Sequence, residues 1–297
     1  MMGRYLLIII LIFLFNSQVL ANSGKVDPVY ERIISLYSAH TENLVSLGAE
    51  DQLIGISTTD DYPEAILEKP RFSYREDPEK FIAARPDLVL VRPMIERSYP
   101  QLLDKLRRAG IDVISLQPTS IDGIFDYWLT LGELTGRRDA AKEMITSFTV
   151  QRKEIAARLN SITPVDRQRV YFEAIHKKMK TIARESIAIY VLEQAGGINI
   201  AADATQVRKK NIAEYSKERI LSKASEIDVF LAQEVRMNSV NLQTIMDEPG
   251  FKAIKAVKEG RVFLIEECLV SRPTLRIIEG IRQINTFLYP DQAGTDR

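Results

Sequence analysis

Two residues of the chain are histidines, and each follows an apolar run. His40 sits in ISLYSAHTEN, where Ile33-Ile34-Ser35-Leu36 gives way to Thr41-Glu42 and a helical stretch closing on Gly48. His176 sits in VYFEAIHKKMK, beyond Val170-Tyr171-Phe172 and the three residues that follow it. Imidazole can hydrogen-bond, titrate or ligate, so two histidines in matched positions point to one shared ligand site. They are too far apart in sequence to be an i,i+3 or i,i+4 pair on one helix. Shared coordination would have to come from the fold.

Other polar residues occupy the same kind of position. Asp60-Asp61-Tyr62 follow a second apolar run, with Arg71 and Tyr74 just beyond. Arg92 and Arg97 follow a third. Lys177, Lys178 and Lys180 come after His176, Glu234-Val235-Arg236 after the run at 229–232, and Arg272 after the run at 262–265. Arginine presents a planar fork matched to carboxylate and phosphate, and tyrosine adds a flat face and a phenol. Taken singly, each is as readily a solvated loop residue. Concentrated after strand ends, they describe a site for an anionic, partly aromatic ligand.

The elements that would carry these residues are legible as texture. Runs at 32–36, 53–57, 88–91 and 112–116 are rich in Val, Ile and Leu and read as buried strands. Helical patterns alternate with them at 41–47, at 78–84 with Asp77 as N-cap, and at 99–109 closing on Gly110. A helix containing Trp128, read as core, precedes one long helix over 138–159, where Ala141, Met144, Ile145, Phe148, Ile155 and Leu159 recur at helical spacing. Strand–helix alternation then resumes: a strand at 170–172, a helix at 187–195 closed by Gly196-Gly197 with positive φ expected there, strands at 229–232 and 262–265, and a helix at 274–288. The expected fold class is therefore α/β, with two lobes of mainly parallel sheet bridged by one long helix. The expected boundaries are 28–136, 137–161 and 167–290. Ligands of open parallel sheets sit beyond the carboxyl ends of the strands, so both histidines are expected in a cleft between the lobes.

Bulk properties narrow the function. Forty basic residues balance forty acidic ones among 297, and nucleic acid is not the expected partner without a basic excess. Arg4, the apolar run Leu6–Phe15 and the small residues ending at Ala21 read as a signal peptide over residues 1–21. Ten apolar residues are too few to span a bilayer, which needs about 20. No cysteine lies near that cleavage point, so no lipid anchor is expected there. Cys268 is the single cysteine, which excludes an internal disulfide and reads as packing. A Gly-x-Ser-x-Gly nucleophile elbow is absent, and no orienting partner for His40 with Ser38 is identified, so no enzymatic activity is expected.

RIISLYSAHTENLVSLGAEDQLIGIS resembles the opening of the periplasmic iron-siderophore and cobalamin binding proteins of ABC importers. DDYPEA with DPEKFIAARPDLVLV, then GGINIAAD, then PGFKAIKAVKEGRVFLIEE with SRPTLRIIEGI, match further segments of that family in order, from Arg32 to about Pro290. The resemblance implies two lobes on a rigid helix, a ligand held between them and docking on a permease dimer in the inner membrane, with exposed acids such as Glu96 meeting it. It implies a structural role for Thr41 and Glu42 at the helix start, and matches Arg272-Pro273 and Arg276 to a closing Arg-Pro signature. Ser38 and His40 depart from the family pattern. The function so implied is that of a periplasmic binding protein with no intrinsic cofactor, delivering a metal chelate. A ferric siderophore comes first, a corrinoid or haem next; a bare metal ion is the alternative. The expected ligand contacts are His40, Tyr62, Arg71, Tyr74, Arg92, His176, Lys177, Arg236 and Arg272, with His40 and His176 on the metal.

Overall fold

Strands whose residues are apolar on both faces must be covered on both faces, and the two halves of this chain each solve that problem. A computed structural model describes residues 28–118, 120–206, 211–235 and 240–290. The first lobe contains β1 (Ile33–Ser35), α1 (Ser38–Ser46), β2 (Leu53–Ser57), β3 (Arg71–Phe72), α2 (Pro78–Ala84), β4 (Leu88–Val91), α3 (Pro93–Ser98), α4 (Pro100–Arg108), β5 (Asp112–Ser115) and α5 (Ile121–Leu134). Its strands run in the order β3-β2-β1-β4-β5, parallel throughout. Side chains alternate across the sheet: Ile33, Leu88 and Leu90 join one core, Ile34, Val89 and Val91 the other.

The helix α6 (Arg138–Arg158) leads to the second lobe, burying Ala141, Met144, Phe148 and Ile155 along one stripe. That lobe comprises β6 (Arg169–Ile175), β7 (Lys180–Ile182), α7 (Ile187–Gln194), β8 (Ile198–Asn199), β9 (Thr205–Gln206), β10 (Ile212–Glu214), α8 (Lys217–Ser222), β11 (Val229–Glu234), α9 (Leu242–Met246), α10 (Lys255–Lys258), β12 (Val262–Glu266), α11 (Glu267–Val270) and α12 (Ile277–Leu288). Its order is β12-β11-β6-β7-β10-β9, with β8 also on β6. β12, β11, β6 and β8 pair in parallel, whereas β7, β10 and β9 pair antiparallel. The same alternation holds: Val170, Phe172, Val229 and Leu231 face the shared core, Tyr171, Phe230 and Ala232 the outer one. One core thus runs from the first sheet through α5 and α6 into the second.

Details differ from the sequence reading for physical reasons. β3 and β7 to β10 are two or three residues long, too short to show a period. Asp77 stands at the N-cap of α2, but its side chain makes no capping hydrogen bond. The left-handed turn after α7 falls on Gly196, at φ 91°, and not on Gly197. Gly197 is small for another reason, since a Cβ there would lie 2.4 Å from Leu192 Cδ1. The expected signal peptide, 1–21, lies outside the described residues. No helix among the described residues is long and apolar enough to cross a membrane.

Candidate functional site

Strand order reverses between β1 and β4, and the loops leaving their carboxyl ends open a crevice there. The facing wall comes from the carboxyl ends of β11 and β12. Between them lies a cleft of about 660 Å³, to which β1 gives Tyr37, the β2 loop Asp61, β4 Arg92, and the second lobe Glu234, Glu266 and Glu267. Tyr74, Cys268 and Arg272 complete the part that matters chemically.

Three of the acids come from two adjacent strand ends. Glu234 and Glu266 are register partners on β11 and β12, and Glu267 opens α11. Like charges opposite one another on neighbouring strands are unfavourable, so this arrangement is bought with stability. Among the described residues neither Glu234 nor Glu266 has a cation within 4 Å; Glu266 accepts the Cys268 thiol at 3.2 Å. Burial and the Glu266 hydrogen bond push that thiol up to about 12. Burial also raises the Glu267 carboxyl, against the pull of Arg272.

The two guanidiniums of the cleft differ. Arg272 crosses between lobes: its Nη1 donates to Glu42 Oε1 at 2.8 Å and Asp61 Oδ1 at 2.7 Å, its Nη2 to Asp61 Oδ2 at 3.1 Å, and its Nε lies 3.4 Å from Glu267 Oε2. Burial opposes its charge, and the bonds to Asp61 and Glu42 outweigh that and hold its pKa above the usual arginine value. Arg92 lies 5.1 Å over the Tyr37 ring and, among the described residues, has no carboxylate within 4 Å. The Tyr37 phenol is pushed up to about 12 by burial and by Glu267. Among the described residues the cleft therefore holds four carboxylates against two guanidiniums, one of them already shared among acids. Among the described residues no group of three or more His, Cys, Asp and Glu is disposed to hold a metal ion.

A family model described as periplasmic binding protein matches residues 33–268 of the chain. The chain belongs to this family. Relatives include an uncharacterized ABC transporter substrate-binding lipoprotein of Bacillus subtilis, 25% identical over 90% of this chain and 82% of that one. The vitamin B12-binding protein of Vibrio cholerae is 25% identical over 87% of this chain and 89% of its own. Among solved structures, a possible iron-binding periplasmic solute-binding protein of Staphylococcus epidermidis superposes with a TM-score of 0.77 at 29% identity, covering 88% of this chain and all (100%) of that one. Being a periplasmic binding protein, the chain is a transport component that binds and delivers a small molecule to an ABC permease, and not an enzyme.

Within this periplasmic binding protein the histidines are not where the sequence put them. His40 lies in the first turn of α1 but is fully buried, 0% exposed, behind the cleft wall. Its Nε2 lies 3.0 Å from the Val91 carbonyl and its Nδ1 2.6 Å from Tyr127 Oη. A carbonyl only accepts, so Nε2 carries the proton and Nδ1 accepts from the phenol. Burial lowers its pKa to about 4. Both nitrogens are engaged, so His40 ties α1 to β4 and α5 and offers no lone pair to a ligand. His176 is 4% exposed on the outer side of the second lobe, its ring edge-on to Phe251. Its Nδ1 is 2.9 Å from Glu173 Oε2 and its Nε2 3.6 Å from Glu248 Oε2. The hydrogen bond to Glu173 raises its pKa despite burial.

Three of the other expected contacts line the cleft: Tyr74, Arg92 and Arg272. Arg71 does not. Its guanidinium donates to the carbonyls of Asp60 at 3.1 Å and Leu67 at 3.3 Å, bracing the loop after β2. Tyr62 is an exposed ring beneath the Arg276 guanidinium, 4.3 Å away, and Lys177 is exposed outside the cleft lining. Arg236 lies outside the described residues. Thr41 Oγ1 reaches Asp60 Oδ2 at 2.6 Å and Glu42 reaches Arg272, so the Thr-Glu pair holds the architecture together. Asp61, Glu266, Glu267 and Cys268 were not singled out as contacts. The string EEC directly follows the apolar run at 262–265, so the strand-end rule applied elsewhere in the sequence would have found three of them.

Proposed function

We propose that this periplasmic binding protein takes a corrinoid of the cobalamin type as its ligand. Support comes from the charge of the cleft. A cobalt(III) corrin ring carries positive charge at its centre and a periphery of neutral amides, which suits a wall of Glu234, Glu266, Glu267 and Asp61 with Arg92 and Tyr74 as polar and flat contacts. Ferric catecholates and haem propionates are anionic and would meet like charge there. Relatives named for vitamin B12 binding agree with this reading. On it, Arg92, Tyr74 and Arg272 contact ligand, and the histidines, both engaged elsewhere, supply no axial ligand to the metal. The exported protein, freed of residues 1–21 in the periplasm, would deliver to a permease dimer in the inner membrane.

A second reading is a ferric hydroxamate chelate of neutral or positive charge. The 29% identity to a possible iron-binding protein favours it, and the same acidic wall would accept it.

Absorbance titration of the protein from Asn22 onward with cyanocobalamin, aquacobalamin, haemin, and ferric catecholate and hydroxamate chelates tests the choice. Saturable binding of the two cobalamins, unchanged in His40→Gln and His176→Gln, is the expected result. Binding of haemin or the catecholate alone would overturn it.

A further inference from the structure

A second concavity, about 680 Å³, adjoins the interlobe cleft on the first lobe, and the two share Tyr74 as a common wall. Its floor is aromatic. The rings of Tyr74, just beyond β3, and Tyr99, at the joint between α3 and α4, lie 4.7 Å apart with a tilt of 53°. The Arg75 guanidinium sits 5.6 Å from the Tyr74 ring.

Its rim is cationic. Arg75, Arg97 and Lys105 converge on the groove, and among the described residues none has a carboxylate within 4 Å. Acids nearby are already used: Glu96 and Asp104 pair with Arg107, and Glu76 pairs with Lys80. The nine-residue α4 adds its positive end, with Pro100 at the start, no acidic residue in the first turn and no side-chain cap. Three like charges around one hollow repel each other, while the neighbouring cleft carries the opposite surplus. An acidic cleft joined to a basic, aromatic-floored groove is a dipolar site.

We infer that this groove is a subsite for the anionic, planar tail of the cleft ligand, a phosphodiester joined to a flat heterocycle. The inference rests on the corrinoid reading. A cobalamin carries its positive charge at the ring and its negative charge on the nucleotide phosphodiester, followed by a benzimidazole. The ring belongs against the carboxylates and the tail over Tyr74, with Arg97 and Lys105 on the phosphate and Tyr99 beneath the base. Arginine and lysine bind phosphate as charge-assisted donors, and tyrosine supplies a stacking face.

Cobinamide, which has the corrin ring without phosphodiester or base, separates the two parts. The measurement is tryptophan fluorescence or absorbance titration of the wild type and of Arg97→Gln/Lys105→Gln with cyanocobalamin and cyanocobinamide, at low and high salt. The groove predicts that wild type prefers cobalamin by about tenfold or more, and that the double variant loses about tenfold for cobalamin only, with less salt dependence. Equal wild-type affinity for the two corrinoids, a variant that binds cobalamin as wild type does, or an equal loss for both would overturn the groove while leaving the corrinoid reading standing. Binding of neither corrinoid by wild type would overturn both.

Discussion

Replacing Arg272 by Met keeps much of its volume and removes the charge that joins the lobes. The Arg272 side chain is 14% exposed, Glu42 is 2% exposed and Asp61 is 60% exposed. Asp61 can return to water; Glu42 cannot. Stripping one partner from a buried pair typically costs about 3–5 kcal/mol. Arg276 Nη1 remains 3.8 Å from Glu42 Oε2 and offsets part of that, so a loss of about 3 kcal/mol is expected. At about 2–4 °C per kcal/mol for a domain of this size, the melting point should fall by about 6–12 °C. The variant also has a pH signature. Burial already raises the Glu42 carboxyl, and Arg272 opposes that rise. Without Arg272 the folded pKa climbs further above the unfolded one. A group raised in this way contributes stability that is present below its unfolded pKa and lost as pH rises through the folded value. The deficit of Arg272→Met should therefore be largest near pH 8 and shrink toward pH 5. Adding Glu42→Gln should recover about 1–2 kcal/mol, because no buried charge is then left unpaired. Urea denaturation of the four proteins of the cycle at both pH values measures this. A deficit below about 1 kcal/mol, or one that does not shrink in acid, would refute the reasoning.

The two histidines should act in opposite directions. His40 has a folded pKa of about 4 against 6.5, so stability falls as pH drops between those values, by about 3 kcal/mol in all, and His40→Gln should flatten that limb of a pH–stability curve. His176 has a raised folded pKa, so its contribution is present below 6.5 and fades as pH rises through the folded value; His176→Gln should flatten that alkaline limb instead. Gly280→Ala would put a Cβ 2.1 Å from the Leu269 carbonyl oxygen, where backbone cannot yield cheaply, and a loss of at least about 3 kcal/mol is expected by thermal denaturation. Cys268, with its thiol pushed up to about 12, should alkylate with iodoacetamide at pH 8 far more slowly than free cysteine, and bound ligand should slow it further.

Runs such as Leu53–Ser57 and Leu88–Val91 match strands residue for residue because both faces of a doubly covered strand must be apolar, and that demand writes itself into every position. The helix Pro78–Ala84 is equally plain, with proline at its start. The antiparallel β7, β9 and β10 left no such mark, because two- or three-residue strands are fixed by their neighbours and not by their own pattern. The site was legible as a location but less so as chemistry. The strand-end rule found Arg92, Tyr74 and Arg272, yet could not tell that Arg71 would turn inward onto the carbonyls of its own loop. Nor could it tell which way a residue in the first turn of α1 points. His40 and Ser38 are two positions apart on that turn; Ser38 faces the cleft and His40 the core. The expectation of an anionic ligand followed from the arginines and tyrosines after the strand ends; the structure adds Glu266 and Glu267 to the same lining.

The Pro273 carbonyl of the second lobe accepts two hydrogen bonds from the first, from Asn43 Nδ2 at 2.9 Å and from Trp128 Nε1 at 3.1 Å. Two donors on different helices fix the direction of one oxygen, which makes it a point of attachment between the lobes. With the core continuous through α5 and α6, few rigid-body freedoms remain to be frozen when a ligand enters. Such a receptor would hold its cargo tightly for the contacts it makes. Parting the lobes would have to break the two bonds to Pro273 together with the Arg272 pairs to Glu42 and Asp61.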